Sequence, residues 1–189
     1  MRYFFMLISL ISFSALAVTN DGPYIGIDYL YSDINPNSSG GWDFDNSQDS
    51  GFLLSAGYNI YYSEDVSVVV EGQYYSFGQF DLVDKPFFDK QGTLSSEGYF
   101  INFAPKYYLS KRFAVMVGVA LGLVNTQIDL GNNISDRESS IKYSLGASYR
   151  IFDQVDLTAG VSSIRYDFNN ILSVSNEVLI LFTGLRYQF

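Results

Sequence analysis

The chain has 189 residues and a net charge of −9, with no cysteine and no histidine. Disulfides, thiolate metal sites and thiol nucleophiles are thereby excluded, and an acidic balance argues against nucleic acid or heparin, which bind basic surfaces. Aromatic residues make up 17% and charged residues 16%, the latter below the ~25% of a typical soluble domain.

Arg2 supplies a short positive start, and Tyr3 to Leu16 is almost wholly apolar. Ala15-Leu16-Ala17 then offers the small residues of a cleavage site, followed by the polar Thr19-Asn20-Asp21. Residues 1–17 therefore read as a cleavable secretory signal peptide. The apolar run is shorter than the ~20 residues of a spanning helix. Residues 18–189 read as one domain.

From there the apolar pattern has a period of two. In the run Phe113–Val124, one face takes Phe113, Val115, Val117, Val119 and Leu121, and the other takes Ala114, Met116, Gly118, Ala120 and Gly122. That alternation is a strand signal. It recurs near 23–32, 51–61, 66–78, 97–109, 113–125, 140–151, 155–166 and 176–189. Tyr62–Asp65, Ser110–Arg112 and Phe152–Gln154 read as short turns. Ser32–Ser50, Gln79–Ser96, Thr126–Ser139 and Asp167–Ser175 read as long polar loops. Short turns on one rim and long loops on the other predict an all-β, eight-stranded antiparallel up-and-down transmembrane β-barrel with both termini on the periplasmic side.

The two strand faces differ in composition. One carries small and polar residues, among them Gly26, Ser55, Gly57, Gln73, Asn102, Ser144, Gly146, Thr158, Gly160 and Gly184. Glycine weakens a solvated strand but suits a narrow lumen, so this face is expected to point inward. The other face, with Ile25, Ile27, Leu54, Val70, Ile101, Phe103, Leu145, Leu157 and Leu181, is nearly free of charge, as lipid contact requires. Tyr107, Tyr149, Tyr187 and Phe189 fall toward one end of it; Tyr29, Tyr31, Tyr74, Tyr99 and Tyr143 fall toward the other. Two aromatic girdles are expected there.

The chain resembles the OmpA/OmpX-like small outer-membrane β-barrel family over essentially its whole mature length. The resemblance rests on this pattern, on Ala104-Pro105-Lys106-Tyr107-Tyr108, and on the terminal strand Leu179–Phe189. The resemblance implies that Leu185, Tyr187 and Phe189 form the signal by which the barrel-assembly machinery recognises its clients. It also implies residence in the bacterial outer membrane among its lipids and lipopolysaccharide.

An eight-stranded barrel has an interior just wide enough to be filled by its own side chains, so charges within it must be paired. Asp28, Glu71, Lys106, Arg150, Asp156 and Arg186 form the expected lumen network. The expected pairs are Glu71 with Lys106, Arg150 with Asp156, and Arg186 with Asp28 across the closing seam. Without histidine a serine nucleophile would need another base, and Asp33, Asp43, Asp45 and Asp49 are scattered. No catalytic residue, cofactor or metal is expected; the stretch Asp43–Asp49 lacks the glycine and terminal glutamate of a calcium loop. The loops remain, because binding residues concentrate on loops held by a rigid scaffold. Trp42, Phe44, Phe87 and Phe88 are the candidate anchors, with host surface or serum proteins or lipopolysaccharide as partners. A structural and surface-interaction role is expected; the alternative is a narrow pore for ions or small solutes through the lumen.

Overall fold

The computed structural model describes residues 22–37, 42–84, 91–129, 133–168 and 174–189. The segment read as a signal peptide lies outside the described residues. Nine strands are present among them: β1 (Gly22–Asn37), β2 (Trp42–Asn46), β3 (Gln48–Ser63), β4 (Val66–Asp84), β5 (Gln91–Tyr108), β6 (Phe113–Asp129), β7 (Asn133–Phe152), β8 (Val155–Phe168) and β9 (Val174–Gln188). Every pairing is antiparallel: β1 pairs with β3, each strand from β3 to β8 pairs with the next, and β1 closes the sheet by pairing with β9. β2 and β3 are one stave broken at Ser47, and both pair with β4. The result is a closed barrel of eight staves, which leaves no long unpaired edge.

The short turns lie where the sequence puts them. The long loops do not. Most of Ser32–Ser50, Gln79–Ser96 and Thr126–Ser139 is ladder, as are both ends of Asp167–Ser175, with strands of up to 20 residues. A membrane crossing takes about 9–11 residues, so the hairpins carry the wall roughly 20 Å beyond the bilayer at the usual strand rise and tilt. Polar Ser, Asn and Asp obscured these strands, because side chains facing water need not be apolar for the backbone ladder to continue.

One irregularity shapes the wall. Gly78 adopts φ +96 at a register shift between Ser76 and Gln79. The Asp49 carboxylate accepts the Gln79 N–H at 2.6 Å and thereby replaces a ladder bond. A side chain at Gly78 would lie 2.4 Å from Asp49 Oδ2, so the close approach and the left-handed backbone both require glycine. The bulge rephases the strand: Phe77 and Phe80, three positions apart, both point inward.

Outside, the band between the girdles is apolar and exposed, as at Ile27, Ile101, Val117, Leu145 and Leu185. The small and polar face points in. Beyond the second girdle the pattern inverts. Leu30, Phe80, Leu94, Val124, Ile164 and Val178 are buried inside, while Gln79, Asp81, Gln127, Arg137 and Arg165 are exposed outside. The hairpin end is therefore built like a water-soluble barrel stacked on a lipid-facing one.

Candidate functional site

The interior is filled in layers, and its centre is Glu71. This carboxylate accepts hydrogen bonds from Gln73 (2.7 Å) and Asn102 (2.8 Å) through Oε1. Tyr24 donates its hydroxyl to Oε2, and Arg186 Nη2 lies 3.4 Å from the same oxygen. The Arg186 guanidinium also packs over the Tyr24 ring, 5.2 Å from its centroid. With four donors around it, Glu71 is buried at 2% exposure without an orphaned oxygen, as a buried charge requires.

The expected pairings are partly rearranged. Glu71 does not pair with Lys106. Its ladder neighbours are Gly57 and Asn102, whereas Lys106 sits opposite Ser67, four residues nearer the short turns. That separation is roughly 13 Å along the strand, beyond the reach of a lysine. Lys106 instead crosses the lumen to Asp156 Oδ2 at 3.3 Å. Arg150, directly opposite Asp156 across the β7–β8 turn, binds Oδ1 at 3.0 Å. Arg186 does not pair with Asp28, because Glu71 has claimed it. Asp28 accepts from Thr158 Oγ1 at 2.5 Å, and its Oδ2 has no hydrogen-bond partner among the described residues.

One interior cation went unforeseen. Lys142 is 1% exposed. It donates to Tyr75 Oη at 2.8 Å and to Gln73 Oε1, and its ammonium lies 5.0 Å from the Tyr75 ring centroid and 5.9 Å from that of Phe100. The parity that places Ser144 and Gly146 inside also places Lys142 there, so the alternation held the signal. Tyr24 was legible in the same way, through Gly26 and Asp28.

Above Lys142 the lumen turns apolar. Tyr75 stacks on Phe77 (5.4 Å, 18°) and meets Phe100 edge-on (5.4 Å, 78°). Leu30, Leu53, Phe80 and Ile180 complete this layer in one buried cluster. Polar groups occupy the middle of the interior and an apolar plug fills the hairpin end.

Trp42 and Phe44 lie on β2, opposite Asp84 and Leu82, with side chains outside the described structure. Phe87 and Phe88 lie outside the described residues. On the terminal strand Leu185 and Tyr187 face outward, Tyr187 meets Phe189 edge-on at 5.1 Å, and the Phe189 N–H donates to Pro23 O at 3.0 Å. Among the described residues no three His, Cys, Asp or Glu side chains come together to hold a metal ion.

The family model described as outer membrane protein beta-barrel domain matches residues 4–187. Among solved structures, neisserial surface protein A aligns at TM-score 0.56 and 20% identity, covering 89% of this chain and 97% of that one. Ail, the attachment invasion locus protein of Yersinia pestis, aligns at 0.53 and 17%, covering 88% and 99%. The outer membrane protein OprG of Pseudomonas aeruginosa aligns at 0.53 and 10%, covering 89% and 96%. At these identities the likeness is one of fold. No curated protein matches the chain in sequence.

Proposed function

This chain belongs to the outer membrane protein beta-barrel domain family and resides in the bacterial outer membrane, and from that premise we propose that it is a non-enzymatic surface-interaction barrel whose hairpin tips contact proteins outside the cell. The observation that carries this reading is the apolar plug beyond the outer girdle. It gives the protruding hairpins a core of their own, so the tips stand on a rigid platform, and binding sites favour such supports. The same plug argues against the alternative, a pore, because ions crossing the lumen would meet a layer packed with the rings of Tyr75, Phe77 and Phe100. Ail has been solved with the heparin analogue sucrose octasulfate. The net charge of −9 here disfavours a sulfated glycan, so the partners proposed are host surface or serum proteins. Leu185, Tyr187 and Phe189 would serve recognition by the barrel-assembly machinery, and residues 1–17 export.

The test is display of the full chain on a non-adherent Gram-negative strain, beside a variant with Trp42, Phe44, Phe87 and Phe88 changed to Ser. Binding of epithelial cells or serum proteins that the variant loses at equal display supports the reading. Binding equal to that of the empty strain overturns it.

A further inference from the structure

β1 and β9 are the first and last strands of the wall, and together they form its closing seam. Every other pair of staves is joined by a turn or loop, and such a connection sets the register of the strands it links. No connection sets the register of β1 and β9. The outward face of the seam does not set it either. Its ladder pairs include Ile25 with Tyr187, Ile27 with Leu185 and Tyr31 with Leu181, all exposed. A slip of one residue would turn these side chains inward. A slip of two would keep them outward and only exchange one apolar or aromatic partner for another.

The inward face is selective. Gly26 faces Arg186, and Asp28 faces Gly184, so each large polar side chain meets a glycine on the other strand. The fit is close: a Cβ at Gly26 would lie 3.1 Å from Arg186 Cγ, and one at Gly184 would lie 2.6 Å from Asp28 Oδ1. Two contacts cross the seam from these positions. The Arg186 guanidinium lies over the Tyr24 ring, 5.2 Å from its centroid, and Thr158 Oγ1 on β8 donates to Asp28 Oδ1 at 2.5 Å. Glu71 then joins the two ends of the sheet, because Tyr24 of β1 and Arg186 of β9 both reach its Oε2.

We propose that this inward set selects the register in which the barrel closes, with Gly26 and Gly184 as the recesses for Arg186 and Asp28 and with Glu71 as the carboxylate that holds the first and last strands at matching heights. If β9 slid two residues toward the hairpin end, Arg186 would face Asp28, and Gly26 would face Gln188. Arg186 would then stand four residues from Tyr24, roughly 13 Å along the strand, and Thr158 would leave Asp28. A slide of two the other way would set Gly26 against Gly184 and Asp28 against Phe182, an empty recess in one row and a charge against a ring in the next. The first slide is the stronger rival, since it gives Arg186 a carboxylate in Asp28. Glu71 opposes it by binding the guanidinium at the native height. This role belongs to closure of the barrel body and is independent of any partner at the hairpin tips.

The chain has no cysteine, so introduced pairs report the seam directly. Ile27→Cys with Leu185→Cys marks the native register, and Ile27→Cys with Tyr187→Cys marks the rival one. Each pair is oxidised in isolated outer membranes, and cross-linking is read from gel mobility, with heat-modifiable mobility verifying that the barrel is folded. In the otherwise native chain the native pair should cross-link, and the rival pair, a diagonal contact, should give only a low background. Glu71→Gln should raise the rival pair by about tenfold, the bias released with one hydrogen bond to a charged group. Asp28→Asn added to it should return the rival pair to background, because Arg186 then has no carboxylate to slip toward. Tyr24→Phe keeps the Glu71–Arg186 pair and should raise the rival pair by about threefold; this variant decides the matter if Glu71→Gln does not fold. Lys142→Met loses bonds to Gln73 and Tyr75 on β4 and should leave both pairs unchanged. Background-level rival cross-linking in folded Glu71→Gln or in Tyr24→Phe overturns the proposal. So does a rise that persists with Asp28→Asn, or an equal rise in Lys142→Met, which would assign the slip to lost stability alone.

Discussion

Arg186 on β9 reaches across the lumen to Glu71 on β4, Nη2 to Oε2 at 3.4 Å, although its own ladder neighbours are Gly26 and Asp156. The side chain passes over Gly26, where a Cβ would lie 3.1 Å from Arg186 Cγ. A glycine on β1 thus opens the path by which β9 and β4 are tied together inside the barrel.

That tie sets the first prediction. Glu71→Ala leaves the buried guanidinium without its carboxylate and should cost about 3–5 kcal/mol, read from urea unfolding in detergent micelles. Arg186→Met added to Glu71→Ala should restore part of the loss, because the stranded charge is then gone. A Glu71→Ala barrel that unfolds at the native urea midpoint would show that the pair does not hold the lumen together.

Lys142 should behave differently. It has no carboxylate within ion-pair distance among the described residues and borders the aromatic layer. Methionine matches its length without a buried charge, so Lys142→Met should cost less than Glu71→Ala, about 1–3 kcal/mol for the hydrogen bonds left unmade at Gln73 and Tyr75. The two variants are compared in the same unfolding series; a larger loss at Lys142 would mean that its field, and not Glu71, organises the polar layer.

The inward and outward faces were legible in the sequence because a closed sheet forces one parity on every strand: Gly26, Ser55, Gln73, Asn102, Thr158 and Arg186 all fall inside as read. Parity fixes the face but not the height. Height decides partners, and so Glu71 met Arg186 and not Lys106. The hairpin extensions were illegible for another physical reason. Past the girdle water bathes the outer face, so residues such as Gln127 and Ser135 replace the apolar half of the pattern, and a search for apolar-out strands stops at the membrane surface.

Glycine at the bulge supplies a local test. Gly78→Ala places a methyl against Asp49 Oδ2 and Ser50 O, 2.4 and 2.7 Å away, at φ +96. Gly72→Ala on the same strand meets only Ala56 O at 3.9 Å. The Gly78 variant should lose about 1–3 kcal/mol and the Gly72 variant should stay near native stability. Equal midpoints would show that the bulge relaxes without cost.

The aromatic plug and the charged layer beneath it together make a prediction about current. Ions entering from the short-turn end reach a polar layer holding Lys106, Lys142, Arg150 and Arg186 against Asp28, Glu71 and Asp156, an excess of one positive charge. Beyond it they meet Tyr75, Phe77 and Phe100 in one buried cluster with Leu53 and Ile180, whose packed side chains are a poor substitute for an ion's water. The native barrel in a planar bilayer should therefore show no steady step-like conductance. Phe77→Ser with Phe100→Ser opens the layer to water, at a stability cost of about 3–5 kcal/mol per ring lost from a packed core. It should produce steps that favour anions, given the surplus cation below. Steady steps from the native barrel would show that the plug is not a seal. Cation-selective steps from the double variant would show that the outer carboxylates, and not the lumen cations, govern entry.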